Sequence, residues 1–458
     1  MHDLTPNLDP TSPVPQYEQL YRHLSREILS GRLPGGTRLP SRRALSRHLG
    51  VSEMTIHSAY DLLQAEGFLT SKERVGLFVE DILPLPLLPE RALTSPAQGT
   101  QAPLYDFSPQ STDISLFPHA LFAKLVREEL LDNPDLMNRG DPRGEIGLRA
   151  ALCQFLYQFR GVHCKQEQLV IASGVDQLLQ TVSSLIGEKR KIAVEDPGYP
   201  EAARVFQRAG HTVIPLSLDE YGLNPEALEN SGADLAYLTP AHQFPTGVSL
   251  PASRRSELLG WANRKDGRFL IEDDYDSEFR YASRPLPALQ SLDGRGKVVY
   301  LSTFSRSLAP GLRVAYMALP EALNLRFDRE HLRCGETVSR YEQSAMGRLV
   351  GEGHYIRHLR RAGAAYQKRA AVVCGLLSGI AGSFIKGQEA GLHFLFGMKG
   401  MDENEVVEQG RRAGIPLSGL GKYAMKAKTE PALVLGFGGL KDGTLDEAVR
   451  ALRAALGV

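Results

Sequence analysis

Residues 14–70 read VPQYEQLYRHLSREILSGRLPGGTRLPSRRALSRHLGVSEMTIHSAYDLLQAEGFLT, and their spacing decides the first fold. Tyr17, Leu20, Tyr21, Leu24 and Ile28 recur at helical intervals until Gly31, Pro34, Gly35 and Gly36 stop the helix. Ser41 is placed to cap a short second helix that turns Ala44, Leu45 and Leu49 inward and ends at Gly50. Ser52 is placed to cap a third, with Ile56, Ala59, Tyr60 and Leu63 on its inner face and Gly67 at its end. Two helices joined by a glycine-bearing turn have helix-turn-helix spacing. Phe68–Thr70 and Leu77–Val79, separated by SKERVG, predict a hairpin wing.

Charge supports this reading. Between Ile28 and Ser52 there is no Asp or Glu, while Arg32, Arg38, Arg42, Arg43 and Arg47 all fall in that stretch. Alone, such a run is a solvated basic face. Coinciding with a helix-turn-helix, it indicates DNA.

The chain around this segment has 458 residues, enough for roughly three domains. With 42% hydrophobic and 23% charged residues it is too apolar for a disordered chain. Lys plus Arg and Asp plus Glu are 53 each, so nothing global points to a polyanion or an acidic membrane, and any nucleic-acid signal is local. Cys153, Cys164, Cys334 and Cys374 form no zinc spacing and read as buried thiols of a reducing compartment, with no metal site. No run approaches the roughly 18 apolar residues that span a bilayer, so a cytoplasmic protein without membrane contact is expected.

Prolines and small polar residues from Ile82 to Pro103 read as a linker, which sets expected boundaries of 13–81 for the head, 82–104 for the linker and 105–458 for the body. In the body, apolar strand-like segments alternate with amphipathic helices: Leu169–Ala172, Lys191–Val194, Thr212–Pro215, Leu235–Leu238, Arg268–Ile271 and Val298–Ser302. Such alternation predicts a doubly covered, largely parallel sheet, whose ligands lie at the carboxyl ends of strands. Those ends carry SGVDQ from Ser173, EDPGYP from Glu195, TPAHQFPTG from Thr239, EDDYDSEF from Glu272 and STFSRSLAPGLR from Ser302.

The head resembles the winged helix-turn-helix of the GntR superfamily of transcription regulators over its whole length, and the ordered body segments resemble fold type I aminotransferases. Together they resemble the MocR subfamily, from about Pro15 to the end. The resemblance implies a mainly α winged helix-turn-helix head and an α/β body. The body would have a large, mostly parallel lobe at about 140–325 and a smaller α+β lobe at about 326–458 plus 105–139. By position, Arg38, Ser41 and Arg43, with Ser52, Thr55 and His57 on or near the recognition helix, would meet DNA. Glu53 departs from the basic residue usual there and would repel phosphate unless it accepts from a cytosine amine.

The resemblance also implies a pyridoxal phosphate site. Asp273 would hold the proton on the ring nitrogen, Tyr275 would bond the phenolic oxygen and Tyr199 would stack on the ring. Ser173, Gly174 and Val175 at a helix start, with Thr303, Ser305 and Arg313, would cup the phosphate. The family's S-K-[ST]-L-A-P-G-L-R motif reads Ser305-Arg306-Ser307-Leu308-Ala309-Pro310-Gly311-Leu312-Arg313, with arginine where lysine forms the imine. A guanidinium stays protonated with delocalised lone pairs and cannot attack an aldehyde. Lys297, the nearest lysine, precedes the strand and belongs at the opposite end of the sheet. Asp176 in the phosphate loop, Arg139 for a usual tyrosine, Phe244 for the asparagine of catalytic relatives, and the lack of arginine between Arg412 and Arg450 depart in the same direction.

The reading is therefore a homodimeric, DNA-operator-binding transcription regulator. Its aminotransferase-like body would sense a small anionic effector, with no catalytic residue and with pyridoxal phosphate non-covalent at best or absent. Arg306 either pairs with Asp176 or Asp273 and locks the site, or receives an anion. The competing readings are a pyridoxal-phosphate-dependent aminotransferase with an accessory DNA-binding head, and a scaffold whose head no longer binds DNA.

Overall fold

The computed structural model describes residues 6, 8–10, 12, 14–72, 75–82, 103–281, 287–330, 335 and 337–458. Most of the expected linker, and Cys334, lie outside the described residues. The chain divides into two compact units, Met1–Gln101 and Ala102–Val458.

The first unit has helices α1 (Gln16–Leu29), α2 (Arg42–Leu49) and α3 (Glu53–Ala65), then strands β1 (Leu69–Lys72) and β2 (Gly76–Val79) paired antiparallel. Both expected caps form: Ser41 Oγ accepts from the Ala44 N–H at 3.2 Å, and Ser52 Oγ from the Thr55 N–H at 3.1 Å. Gly50 ends α2 at φ 68°, a left-handed conformation that suits glycine. Leu20, Leu24, Ile28, Leu45, Ile56, Ala59, Tyr60 and Leu63 close one core with Leu69 and Val79 of the wing. The segment before α2 also joins the wing: the Gly36 N–H donates to the Val79 carbonyl at 2.8 Å and the Leu39 N–H to the Leu77 carbonyl at 2.9 Å.

The second unit is built on an eight-stranded sheet in the order β3-β10-β9-β8-β7-β4-β5-β6. Its strands are β3 (Leu169–Ala172), β4 (Lys191–Asp196), β5 (Thr212–Asp219), β6 (Gly222–Leu223), β7 (Leu235–Leu238), β8 (Phe269–Asp274), β9 (Val298–Thr303) and β10 (Ala315–Ala318). The central pairs β5-β4, β4-β7, β7-β8 and β8-β9 are parallel, whereas β10 runs antiparallel to both β3 and β9. Successive side chains leave on opposite faces. Ile192, Val194, Leu235, Ile271 and Leu301 pack in one core with helices α6 (Val175–Leu185), α7 (Pro200–Arg208) and α11 (Glu321–Glu330). Ala193, Ala236, Leu238 and Leu270 pack on the other face with α8 (Pro225–Asn230) and α9 (Ala252–Asn263). Burial on both faces explains why these strands read as unbroken apolar runs.

Helices α4 (His119–Asp132), α5 (Ile146–Arg160) and α12 (Arg340–Gly351) cover the β3-β10 end, where Leu125, Leu148, Leu152 and Leu349 pack with Ile171 and Tyr316. The short α10 (Phe304–Ser307) follows β9, and α13 (His354–Ser378) leads to an antiparallel sheet of β11 (Ser383–Lys386), β12 (His393–Met398) and β13 (Leu433–Gly436). With α14 (Glu403–Arg412) and α15 (Leu445–Leu456) this forms a separate core around Phe394, Leu435 and Leu452. Residues 105–139 divide between the cores, Phe107 packing in the small lobe and Leu125 of α4 with the large one. The described cysteines are half-buried rather than buried; Cys153 and Cys164 face each other at 3.8 Å.

Candidate functional site

In the first unit the exposed arginines differ in their freedom. Arg32 grips Glu27 through two bonds of 2.6 and 2.7 Å, and Arg42 lies 3.6 Å from Asp61. Arg38, in the segment bridged to Phe78 of the wing, and Arg43 and Arg47 on α2 are exposed. Glu53 lies 4.0 Å from Arg43, so the acid expected to repel phosphate has a cation beside it. Ser41 and Ser52 cap helices, Ser52 Oγ and Thr55 Oγ1 are 2.8 Å apart, and His57 Nδ1 lies 2.9 Å from Asp61. Met54, which no motif marks, is 68% exposed at the start of α3.

In the second unit a cavity of about 370 Å³ opens at the carboxyl ends of β3, β4, β7, β8 and β9. Of the ten residues proposed from sequence, Gly174, Val175, Tyr199, Asp273, Tyr275, Thr303, Ser305, Arg306 and Arg313 line it; Ser173 is next to it in the chain. Pro109, Gln110, Asp176, Glu201, Tyr237, Thr239, Phe244 and Pro310 complete the lining. Among the described residues, no lysine does. Lys297 precedes β9, at the far end of that strand, and its Nζ donates to the Lys265 carbonyl at 3.3 Å.

The alternation of β8 sorts its three terminal acids. Asp274 is 1% exposed and takes bonds from Arg160 at 2.7 Å and Tyr300 at 2.6 Å; Glu272 caps the Leu289 and Gln290 N–H groups at 2.7 and 2.9 Å. Asp273 points the other way, into the cavity wall. Its Oδ2 accepts from the Tyr237 hydroxyl, while its buried Oδ1 has no partner. Burial, reinforced by the nearby Asp274, Asp276 and Asp176 charges, pushes its carboxyl up to about 7. Glu195, behind the wall, is also pushed up to about 7 by burial, although Thr239 donates to it at 2.8 and 3.0 Å.

At the start of α6, Gly174 has φ 118°, and a Cβ there would meet Arg313 Nη2 at 2.5 Å. Only glycine lets that guanidinium come so close, and it donates to the Ser173 carbonyl at 3.2 Å. Thr303 Oγ1 accepts from the Ser305 N–H at 3.1 Å and bonds the Ser305 hydroxyl. Tyr199 and Phe244 meet edge-on with centroids 6.2 Å apart, and burial raises the Tyr199 phenol.

Arg306 sits on α10, 8% exposed, and its Nε, Nη1 and Nη2 all lack a partner. It bonds neither Asp176 nor Asp273, so the locked arrangement expected as one alternative is not formed. The physical reason lies on β8: Asp273 is turned onto Tyr237 instead.

Beyond the cavity, His242, Asp276 and His393 bring ligand-type atoms within 4.8 Å of one another, all buried. His242 Nδ1 is 3.1 Å from Asp276 and 3.2 Å from the Tyr275 hydroxyl. Burial, with the His242 and Arg306 charges, holds His393 well below the usual imidazole range. His242 and Asp276 lie within the TPAHQFPTG and EDDYDSEF motifs, but nothing in the sequence joins them to the distant His393. Asp196, the last residue of β4, accepts three N–H groups from the small-lobe loop: Met425 and Lys426 at 2.7 Å and Ala427 at 2.8 Å.

Comparison with known proteins divides the chain at the same place. Residues 16–79 match bacterial regulatory proteins of the gntR family, and residues 113–401 match aminotransferase class I and II. The chain is 35% identical to the uncharacterized HTH-type transcriptional regulator YhdI of Bacillus subtilis, covering 99% of this chain and 98% of that one. It is 31% identical to the probable rhizopine catabolism regulatory protein MocR of Rhizobium meliloti, covering 98% and 95%. It is also 31% identical to the pyridoxine biosynthesis regulator PdxR of Corynebacterium glutamicum, covering 97% and 96%. Among solved structures, a kynurenine aminotransferase of Pyrococcus horikoshii, crystallised with PMP, matches with a TM-score of 0.69 at 22% identity, over 81% of this chain and 97% of that one. The aminotransferase LysN of Thermus thermophilus, holding a phosphopyridoxyl-leucine, matches at 0.68 and 25% identity, over 78% and 92%. No described helix is long and apolar enough to cross a membrane.

Proposed function

We propose that this chain, which belongs to the family of HTH-type transcriptional regulators joining a GntR head to an aminotransferase-like body, uses that body as a non-catalytic effector sensor. Residues 13–81 bind duplex operator DNA, residues 82–104 tether, and residues 105–458 sense and dimerise. Arg38, Ser41, Arg43, Ser52, Thr55 and His57 supply the DNA contacts, the arginines neutralising phosphates and the first turn of α3 entering the major groove. Duplex binding by the whole chain should therefore fall steeply with salt and favour its own upstream region over random sequence. Equal, weak binding to both at moderate salt would remove the operator from the proposal.

The observation that carries the non-catalytic reading is the pairing of a lysine-free cavity lining, among the described residues, with the unpartnered Arg306 guanidinium. Pyridoxal phosphate supplies an electron sink when bound. The Asp273 Oδ1 without a partner suits its ring nitrogen, and Arg313, held close by Gly174, suits its phosphate. Arg306 does not suit its aldehyde, because a guanidinium keeps its proton. The fit therefore fails at the atom where covalent attachment and transamination begin. Purified chain mixed with pyridoxal phosphate should show no absorption band that borohydride fixes to the protein. Appearance of one would restore the aminotransferase reading.

Leu130 and Leu131 of α4, Met137 and Ile146 are 41–71% exposed on the body, which supports a second copy covering apolar surface there. Light scattering at micromolar concentration should give twice the chain mass.

A further inference from the structure

Two buried charged groups line one cavity, and neither satisfies the other. Asp273 is 5% exposed, with Oδ2 on the Tyr237 hydroxyl and Oδ1 without a partner. Arg306 is 8% exposed, and its three guanidinium nitrogens have no acceptor among the described residues. No ion pair links the two, and no aromatic face among the described residues takes the guanidinium. An unpaired buried guanidinium is costly, and so is a buried carboxylate with one oxygen left without a partner. The carboxylate calls for a cationic N–H, and the guanidinium calls for a planar pair of anionic oxygens. One small molecule that brings both charges answers both.

We propose that the cavity binds, without a covalent bond, a small zwitterion whose cationic N–H meets Asp273 and whose carboxylate meets Arg306. The aromatic lining selects the shape. Tyr199, Phe244 and Tyr237 wall the space beside Asp273, so a flat nitrogen heteroaromatic acid suits it better than an aliphatic amino acid. The volume of about 370 Å³ suits a single-ring ligand carrying a few substituents. Where lysine would select a carbonyl, Arg306 selects its oxidised counterpart, because two parallel N–H donors match a carboxylate and not an aldehyde. This inference rests on the non-covalent reading of the cavity and adds the ligand's chemical class.

The test is calorimetric titration of the full chain with four probes: 4-pyridoxate, which carries ring nitrogen and carboxylate; pyridoxal, which has the nitrogen and an aldehyde; benzoate, which has only the carboxylate; and L-alanine, an aliphatic zwitterion. The expected order puts 4-pyridoxate at least tenfold tighter than pyridoxal and benzoate. Arg306→Met should weaken 4-pyridoxate at least tenfold and leave pyridoxal within twofold, whereas Asp273→Asn should weaken both. Arg306→Gln, with near-ultraviolet circular dichroism on every variant, separates a lost contact from a lost fold. Tighter binding of alanine than of 4-pyridoxate keeps the zwitterion and overturns the ring. Equal binding of the pyridine acid and the aldehyde, or indifference to Arg306→Met in a folded variant, overturns the proposal. A borohydride-fixed band with pyridoxal phosphate overturns the non-covalent reading itself, so the two failures are distinguishable.

Discussion

The head and the body hold charge in opposite ways. In the head, Arg38, Arg43 and Arg47 border water, and Glu53 stands at 4.0 Å from Arg43. Such groups are loosely held, contribute little to the fold and stay available to phosphate. In the body, Arg160 and Asp274 are a fully enclosed pair, while Arg306 is enclosed and unpaired and Asp273, bonded to Tyr237 through one oxygen, keeps the other without a partner. There a charge is available because the fold denies it a partner. A surface group can thus be offered to a polymer with little strain, whereas a cavity group selects a small molecule by the energy of its own isolation.

The largest expected effect that would break this contrast is chemical. Arg306→Lys, mixed with pyridoxal phosphate, should gain a borohydride-fixable band from none, since Asp273, Gly174 and Arg313 remain in place. Next is the enclosed pair. Arg160→Met strands the Asp274 carboxylate and should lower unfolding stability of the body by about 3–5 kcal/mol, read from the urea midpoint. A smaller effect belongs to the cavity acid. Because burial raises Asp273 to about 7, the folded chain keeps a proton that the unfolded chain loses near pH 4. Its contribution to stability therefore falls as pH rises from about 4 to about 7 and is level above. Asp273→Asn, compared with the parent chain, should flatten that slope.

The head's effects are smaller and fall on binding first. Arg43→Ala should weaken duplex binding about equally on all sequences and reduce the salt slope by about 1. Ser52→Ala removes the cap of α3 and should cost about 1 kcal/mol of stability. A loss above that of Arg160→Met would place the head's cap, not the body's buried pair, as the more stringent constraint.

Legibility follows the same division. The head is written in local spacing, so its helices and both serine caps were readable, and the strand-like segment Gly36–Leu39 escaped because its partner lies some forty residues on. In the body, apolar runs marked the parallel strands. β10 was missed because AYMA is short and carries no β-branched residue, although it closes the sheet between β3 and β9. The strand-end motifs led to the cavity, but Tyr237 read as an ordinary apolar strand position, and Gln110 comes from a segment with no motif. Arginine at 306 was visible in sequence. That it bonds neither Asp176 nor Asp273 was not, since that depends on the direction in which a strand end turns its acids.

Asp196 has a mechanical consequence. Its carboxylate gathers three backbone N–H groups of the loop at 425–427 while the Gly198 N–H reaches the Tyr423 carbonyl at 3.0 Å. The two lobes are riveted at that edge, so moving this loop away would strip several charge-assisted bonds at once. A ligand entering the cavity meets a frame already braced on one side.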